Sequence, residues 1–175
     1  LLSVGELSSR KNHQLVISAM AQLKRKNVFY LICGQGMCRE RLQRQAESLG
    51  VADRIRMPGF QDELLEIYHS ADIFVFPSLQ EGMPVALMEA MAAGLACIAA
   101  DIRGNRELMT KQAGELLFHP DRKDQLVTCL HRLLENEWLR MEYGKRNLEK
   151  VKEYDLKIVE RRMRHIYMHF VKNQL

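Results

Sequence analysis

The sequence predicts an α/β domain: an open, doubly wound parallel sheet of about six strands, with extra helices at its C-terminal end. Three observations lead there. Short, continuous apolar runs rich in β-branched and aromatic residues recur along the chain, as strands covered on both faces should. Longer stretches with helical spacing separate them. The 175 residues, 47% hydrophobic and 27% charged, hold enough apolar surface for one globular domain with a full core.

The elements follow in order. Leu1 to Val4 is the first strand, and His13 to Lys24 a helix whose Val16, Ala19, Met20 and Leu23 share one stripe. Val28 to Cys33 and Ile55 to Met57 are the next strands, each followed by a helix, over Arg39 to Leu49 and Glu63 to His69. Ile73 to Phe76 is the fourth strand. The helix after it starts near Pro84, where proline suits the first turn, and stops at Gly94. Leu95 to Ala99 and Leu116 to Phe118 complete the sheet, and Leu126 to Leu134 is helical. Residues 1–134 form the core of a single domain spanning 1–175, and 135–175 read as helices without strands. Trp138 to Gly144 is one of them and Tyr154 to Phe170 another. Ile158, Met163, Ile166, Tyr167 and Phe170 give the last one an apolar stripe for packing on a neighbour. Right-handed crossovers put all strand C-termini on one edge, where ligands of such sheets bind.

Charge and composition narrow the function classes. The net charge of +4 lies wholly in residues 121–175, with 13 basic and 9 acidic side chains against 13 of each before them. That basic segment suits an anionic membrane surface or nucleic acid; interleaved acids favour a solvated helix face. No apolar run reaches the roughly 18 residues of a membrane span. Cys33, Cys97 and Cys129 sit in apolar runs, no CxxC pair occurs, and a reducing compartment is the default. No secretory signal opens the chain, so a cytoplasmic location is expected. The first residues begin without methionine inside a strand, and the chain reads as a piece of something longer.

The stretch Pro77-Ser78-Leu79-Gln80-Glu81-Gly82-Met83-Pro84-Val85-Ala86-Leu87-Met88-Glu89 carries the chemistry. Free N–H groups at the helix start, with the positive end of its dipole, favour a phosphate by about 0.3–2 kcal/mol, and Gly82 permits close approach. The helix is apolar on every side and is expected to be buried. Glu89 is its one charge and would need donors, which ligand hydroxyls can supply. Glu81 beside an anion site suits a neutral, hydroxyl-rich part of the same ligand. A nucleotide sugar has a diphosphate between two hydroxylated rings.

The stretch resembles the E-x7-E segment of retaining GT-B glycosyltransferases of the sucrose-synthase-like group 1 family, in its bacterial capsular and exopolysaccharide branch. The resemblance runs in order from Leu1 to Leu134. It includes Val4-Gly5-Glu6-Leu7 with Lys11, Leu31-Ile32-Cys33-Gly34-Gln35-Gly36, Met57-Pro58-Gly59-Phe60, Ala71 to Ser78, and Asp101 to Glu107. It implies one Rossmann-like half of a GT-B fold, the C-terminal donor-binding domain, whose N-terminal acceptor domain is absent here. The implied activity is transfer of a sugar from a nucleotide-diphosphate sugar, UDP-linked by family frequency, to a polysaccharide or lipid-linked acceptor with retention. It further implies that Glu81 lies near the donor sugar, that Glu89 takes the ribose hydroxyls and that Lys11 neutralises the leaving diphosphate. Gly82, Met83, Pro84 and Val85 would line sugar and diphosphate, and Gly34, Gly36 and the Met57 to Phe60 loop would border the base.

One residue departs from the family. Glu6 stands where an arginine usually follows the first glycine, and Arg103 or Arg10 is the candidate compensating cation. Glu89 has the alternative of a structural pair with Arg103 or Arg106, and Lys11 that of a solvated loop lysine. Gly34-x-Gly36 is only a weak dinucleotide fingerprint, because Arg39 takes the third glycine's place. His165 and His169 have metal-ligand spacing but no glutamate between them, and no Asp-x-Asp occurs, so no metal or other cofactor is expected. His13, beside Lys11, reads as structural. The partners expected are the nucleotide sugar, the missing acceptor domain and a peripheral membrane surface rather than nucleic acid. A sugar-nucleotide epimerase of the same architecture and a noncatalytic binding module are the alternatives in function.

Overall fold

The computed structural model describes residues 1–109 and 111–172, apart from the side chains of 111, 112 and 169–172. Six parallel strands form one sheet: β1 (Leu2–Val4), β2 (Tyr30–Cys33), β3 (Ile55–Gly59), β4 (Ile73–Phe76), β5 (Ala96–Ala100) and β6 (Leu117–Phe118). Their spatial order is β3-β2-β1-β4-β5-β6. Leu2 therefore pairs with Leu31 on one side and Phe74 on the other. The alternation predicted this open parallel sheet, and its strand order is Rossmann-like, as the resemblance implied.

Both faces carry helices. After β1 come a short 3-10 turn (Ser9–Lys11) and α1 (His13–Leu23); α2 (Arg39–Ser48) and α3 (Leu64–His69) follow β2 and β3. Beyond β4 the chain forms α4 (Val85–Ala92), α5 (Arg103–Leu108), α6 (Lys123–Leu134), α7 (Glu137–Val151) and α8 (Leu156–Lys172). All of β4 and β5 is buried, as continuous apolar runs in a doubly covered sheet should be. The small side chains of β5 let α7 come close. A Cβ on Gly144 would lie 2.0 Å from the Gly94 carbonyl, and Asn147 Nδ2 donates to Leu95 O at 2.8 Å. Hence α7 packs on α4 and β5 and belongs to the layer that covers the sheet.

Three expectations need correction. The helix α4 is not buried all round: Leu87, Ala90 and Met91 face the core, while Val85 and Glu89 are exposed. Its far side opens on a groove toward α7 instead of meeting another layer. The loop after β5 holds the short helix α5, which sequence reading did not separate from a loop. Finally, among the described residues the main packing of α8 is on the 3-10 turn before it (Lys152–Tyr154), not on a neighbouring helix along its apolar stripe. Met163, Ile166 and Tyr167 are exposed and Ile158 half-buried, and the side chains of His169 and Phe170 lie outside the described residues.

Candidate functional site

The chain leaves β1 toward β2 and β3 but leaves β4 toward β5 and β6, so the sheet order reverses between β1 and β4. The loops after these two strands must part there, and a crevice forms at their C-terminal ends. One loop runs from Gly5 to Lys11 and the other from Pro77 to Pro84. Their backbones meet where Leu79 N–H donates to Arg10 O at 2.8 Å.

Lys11 and Glu81 meet in that crevice. Lys11 Nζ donates to Glu81 Oε1 at 2.7 Å, and their side chains are only 14% and 9% exposed. The ammonium also sits 5.2 Å from the centre of the Phe76 ring, a cation–π contact at the end of β4. Gly5 leaves room for the lysine stem, since a Cβ there would stand 3.3 Å from Lys11 Cε. Beneath the opposite turn, a Cβ on Gly104 of α5 would lie 3.1 Å from Glu81 O.

The start of α4 closes the same crevice. Pro84 is its buried N-cap, while Gly82, Met83 and Val85 are exposed around it. No side chain caps this helix; Val85 N–H and Leu87 N–H donate to Met83 O and Pro84 O, and the Ala86 N–H between them is left for a ligand. One turn along, Glu89 is exposed and accepts from Tyr68 Oη at 2.9 Å. Burial, and then the bond to this carboxylate, push the Tyr68 hydroxyl far above its ordinary value, so it remains a donor. The acid was expected to be buried and without protein partners. Instead one oxygen is already held, and its neighbours Val85, Met88, Leu148, Val151 and Tyr154 line a groove of about 400 Å³. It does not pair with Arg103 or Arg106, which bind Glu107 and Asp101.

On the other side of β1, backbones stitch three loops together. Gly5 N–H donates to Cys33 O, Gly34 N–H to Gly59 O and Leu7 N–H to Gln35 O, all within 2.8–2.9 Å. Glycine is required at the crossings: a Cβ on Gly34 would lie 1.9 Å from Gly5 O, and one on Gly36 2.4 Å from Leu7 O. Between these loops lies a cavity of about 300 Å³ lined by Gly5, Glu6, Gly34, Gln35, Phe60 and Gln61. Phe60 presents an exposed ring there. Glu6 faces this cavity, which Lys11 does not line.

Two expected residues are elsewhere. The Arg103 side chain is 92% exposed and pairs along its own helix with Glu107, because α5 directs its first residue outward. Met57 is buried in the core from within β3, and the residues beyond the strand end line the cavity in its place. Sequence reading also missed Tyr68, for which an apolar-flanked tyrosine at a helix end gives no signal. A buried relay was missed too. His13 Nδ1 lies 3.1 Å from Tyr30 Oη, which donates to Ser3 Oγ at 2.8 Å, and Ser3 in turn donates to Val75 O. Burial above all, together with the nearby Lys11 and against a bond to the Glu6 backbone, brings the His13 pKa down to about 4, so the ring is neutral near pH 7. It anchors the end of the Lys11 loop to β1, β2 and β4. All four cysteines are free. Among the described residues, no group of three or more His, Cys, Asp or Glu is placed to hold a metal ion.

Comparison with known proteins agrees with this architecture. An uncharacterised glycosyltransferase of Methanocaldococcus jannaschii is 31% identical over 86% of this chain and 39% of its own. A Campylobacter jejuni N-acetylgalactosaminyltransferase, named for a diphospho-undecaprenol acceptor, is 30% identical over 89% and 42%. The chain thus spans about two fifths of the length of these two relatives. The catalytic domain of Helicobacter pylori cholesterol-α-glucosyltransferase superposes with a TM-score of 0.79 at 25% identity, over 87% of this chain and 96% of that one. A glycosyltransferase of Rickettsia africae shares the fold with a TM-score of 0.89 at 19% identity, over 98% and 48%. Residues 1–150 match the family described as glycosyl transferases group 1, and the chain belongs to that family.

Proposed function

We propose that this chain is the donor-binding domain of a glycosyltransferase that moves a sugar, with retention, from a nucleotide-diphosphate sugar to a polysaccharide or lipid-linked acceptor. The observation that carries the reading is the meeting of Lys11 and Glu81 beside the open N-terminus of α4, at the switch point of the sheet. In this reading the base occupies the cavity between Gly34 and Phe60, and the ribose hydroxyls reach the free oxygen of Glu89. The diphosphate lies across the Gly82–Val85 turn, and the sugar faces Glu81. As the C1–O bond to the diphosphate lengthens, negative charge grows on the leaving oxygens. Lys11 and the helix start stabilise it, with no metal assigned. Glu81 and Glu89 hold the sugar and ribose in the reacting geometry. Arg103 has no part in this scheme.

The share of each relative left uncovered supports a second component, an acceptor domain contributed by chain outside these residues. The exposed stripe Leu156, Val159, Met163, Ile166 and Tyr167 on α8 is the surface we assign to it. The opposite face, with Lys157, Arg161 and Arg164, suits the anionic inner surface of a cytoplasmic membrane. No helix among the described residues is long and apolar enough to cross one.

A thermal-shift panel of UDP, GDP, ADP and their sugars tests the reading, with UDP and UDP-sugars expected to raise the melting temperature. Glu89→Gln should reduce the shift. A flat panel for every nucleotide would leave a noncatalytic module as the better account, and interconversion of a donor sugar without acceptor would identify an epimerase.

A further inference from the structure

We propose that Glu81 is an internal competitor for Lys11 which the donor's diphosphate must displace, and that this exchange makes the site select diphosphates that carry a sugar over diphosphates alone. The inference rests on the donor-site reading above and adds a specificity role for the ion pair itself.

Four contacts define the closed arrangement. The 2.7 Å ion pair joins the β1 loop to the β4 loop, and the Leu79–Arg10 backbone bond fixes the distance between them. The Phe76 ring lies under the ammonium and Gly5 under the lysine stem, so Lys11 has a built place facing Glu81. In this arrangement the lysine is engaged by Glu81. Of the other charged residues on these loops and α4, Glu6 and Glu89 are anions, and Arg10, the neighbouring cation, is exposed and makes no ion pair with Glu81.

A diphosphate on the α4 turn offers several anionic oxygens against a single carboxylate, and charge-assisted bonds favour transfer of the ammonium to it. Glu81, only 9% exposed within the pair, then loses its partner, which is costly for a carboxylate. Only donors that arrive with the ligand can satisfy it, and sugar hydroxyls next to the second phosphate are such donors. A nucleoside diphosphate without sugar displaces the lysine but strands the acid. A nucleotide sugar does both jobs.

Calorimetric titration of the 175-residue chain with UDP and with UDP-glucose and UDP-N-acetylgalactosamine tests this. Wild type should bind a UDP-sugar more tightly than UDP. Glu81→Gln should bind UDP about tenfold more tightly than wild type, because Lys11 is released, and should lose the preference for the sugar. In a Lys11→Met background the gain from Glu81→Gln should vanish, and Glu89→Gln should not reproduce it. Circular dichroism confirms that each variant is folded. If wild type binds UDP and Glu81→Gln binds it equally or more weakly, the competition is refuted. A gain that persists without Lys11 refutes it as well, since plain charge removal would then suffice. Failure of every variant to bind UDP, GDP or ADP would instead overturn the donor-site reading.

Discussion

His13 shows what a single buried side chain does for the site. Its ring is almost fully buried, bonded through Nδ1 to Tyr30, and sits two residues from Lys11. Because its pKa falls from 6.5 to about 4 on folding, the unfolded chain takes up a proton in that interval which the folded chain refuses. Stability from this group is therefore present above about pH 6.5 and is lost as pH falls toward 4. The loss amounts to about 3 kcal/mol at most. Glutamine at this position cannot titrate. Melting temperatures from pH 7 to pH 4 should fall less steeply for His13→Gln than for wild type; equal slopes would mean that His13 is charged or exposed. Tyr68 is a quieter case. It holds one oxygen of Glu89 and thereby aims the other, a role no local pattern discloses.

At the scale of elements, α4 and α7 decide where the site can open. The N-terminus of α4 faces the crevice because β4 ends there, and its lower face is set on the sheet by Leu87, Ala90 and Met91. On its other side α7 approaches through Gly144, in contact with the Gly94 carbonyl that ends the α4 turn. Alanine at 144 would place a methyl group inside that backbone and push α7 outward. We expect Gly144→Ala to lower stability by about 3 kcal/mol, and the melting temperature by roughly 10 °C, in calorimetry. A change below about 1 kcal/mol would show that α7 is not clamped as described.

For the whole molecule, α8 is the exception to compactness. It lies outside the layer that covers the sheet and adds little buried area among the described residues. A chain ending at Asp155 should keep its melting temperature within about 2 °C and its UDP response unchanged. A large drop would mean that α8 folds back on the domain in solution. The 175-residue chain is expected to bind donor but to transfer sugar far below the rate of about 1 per second found in ordinary enzymes. Product analysis with a lipid-linked acceptor measures this, and turnover at that rate would show that no further acceptor domain is needed.

Much of this was legible in the residues. Short apolar runs separated by helical periods leave a parallel sheet as the arrangement that buries both, and handedness sends every loop after a strand to one edge. Glycines at 34 and 36, the lone acids at 81 and 89 and the lysine at 11 were each visible as local features at that edge. Their partners were not. Lys11 and Glu81 are 70 positions apart, Tyr68 and Glu89 are 21, and Arg103 binds its own helix instead of the site. Which face of α4 stays open likewise depended on where α7 came to rest. Periodicity and local charge act within a few residues, so sequence alone determined the elements and the edge where they converge. Side-chain pairing is decided by distances that exist only after the sheet has assembled, and for that reason the closed state of the crevice belongs to the tertiary structure.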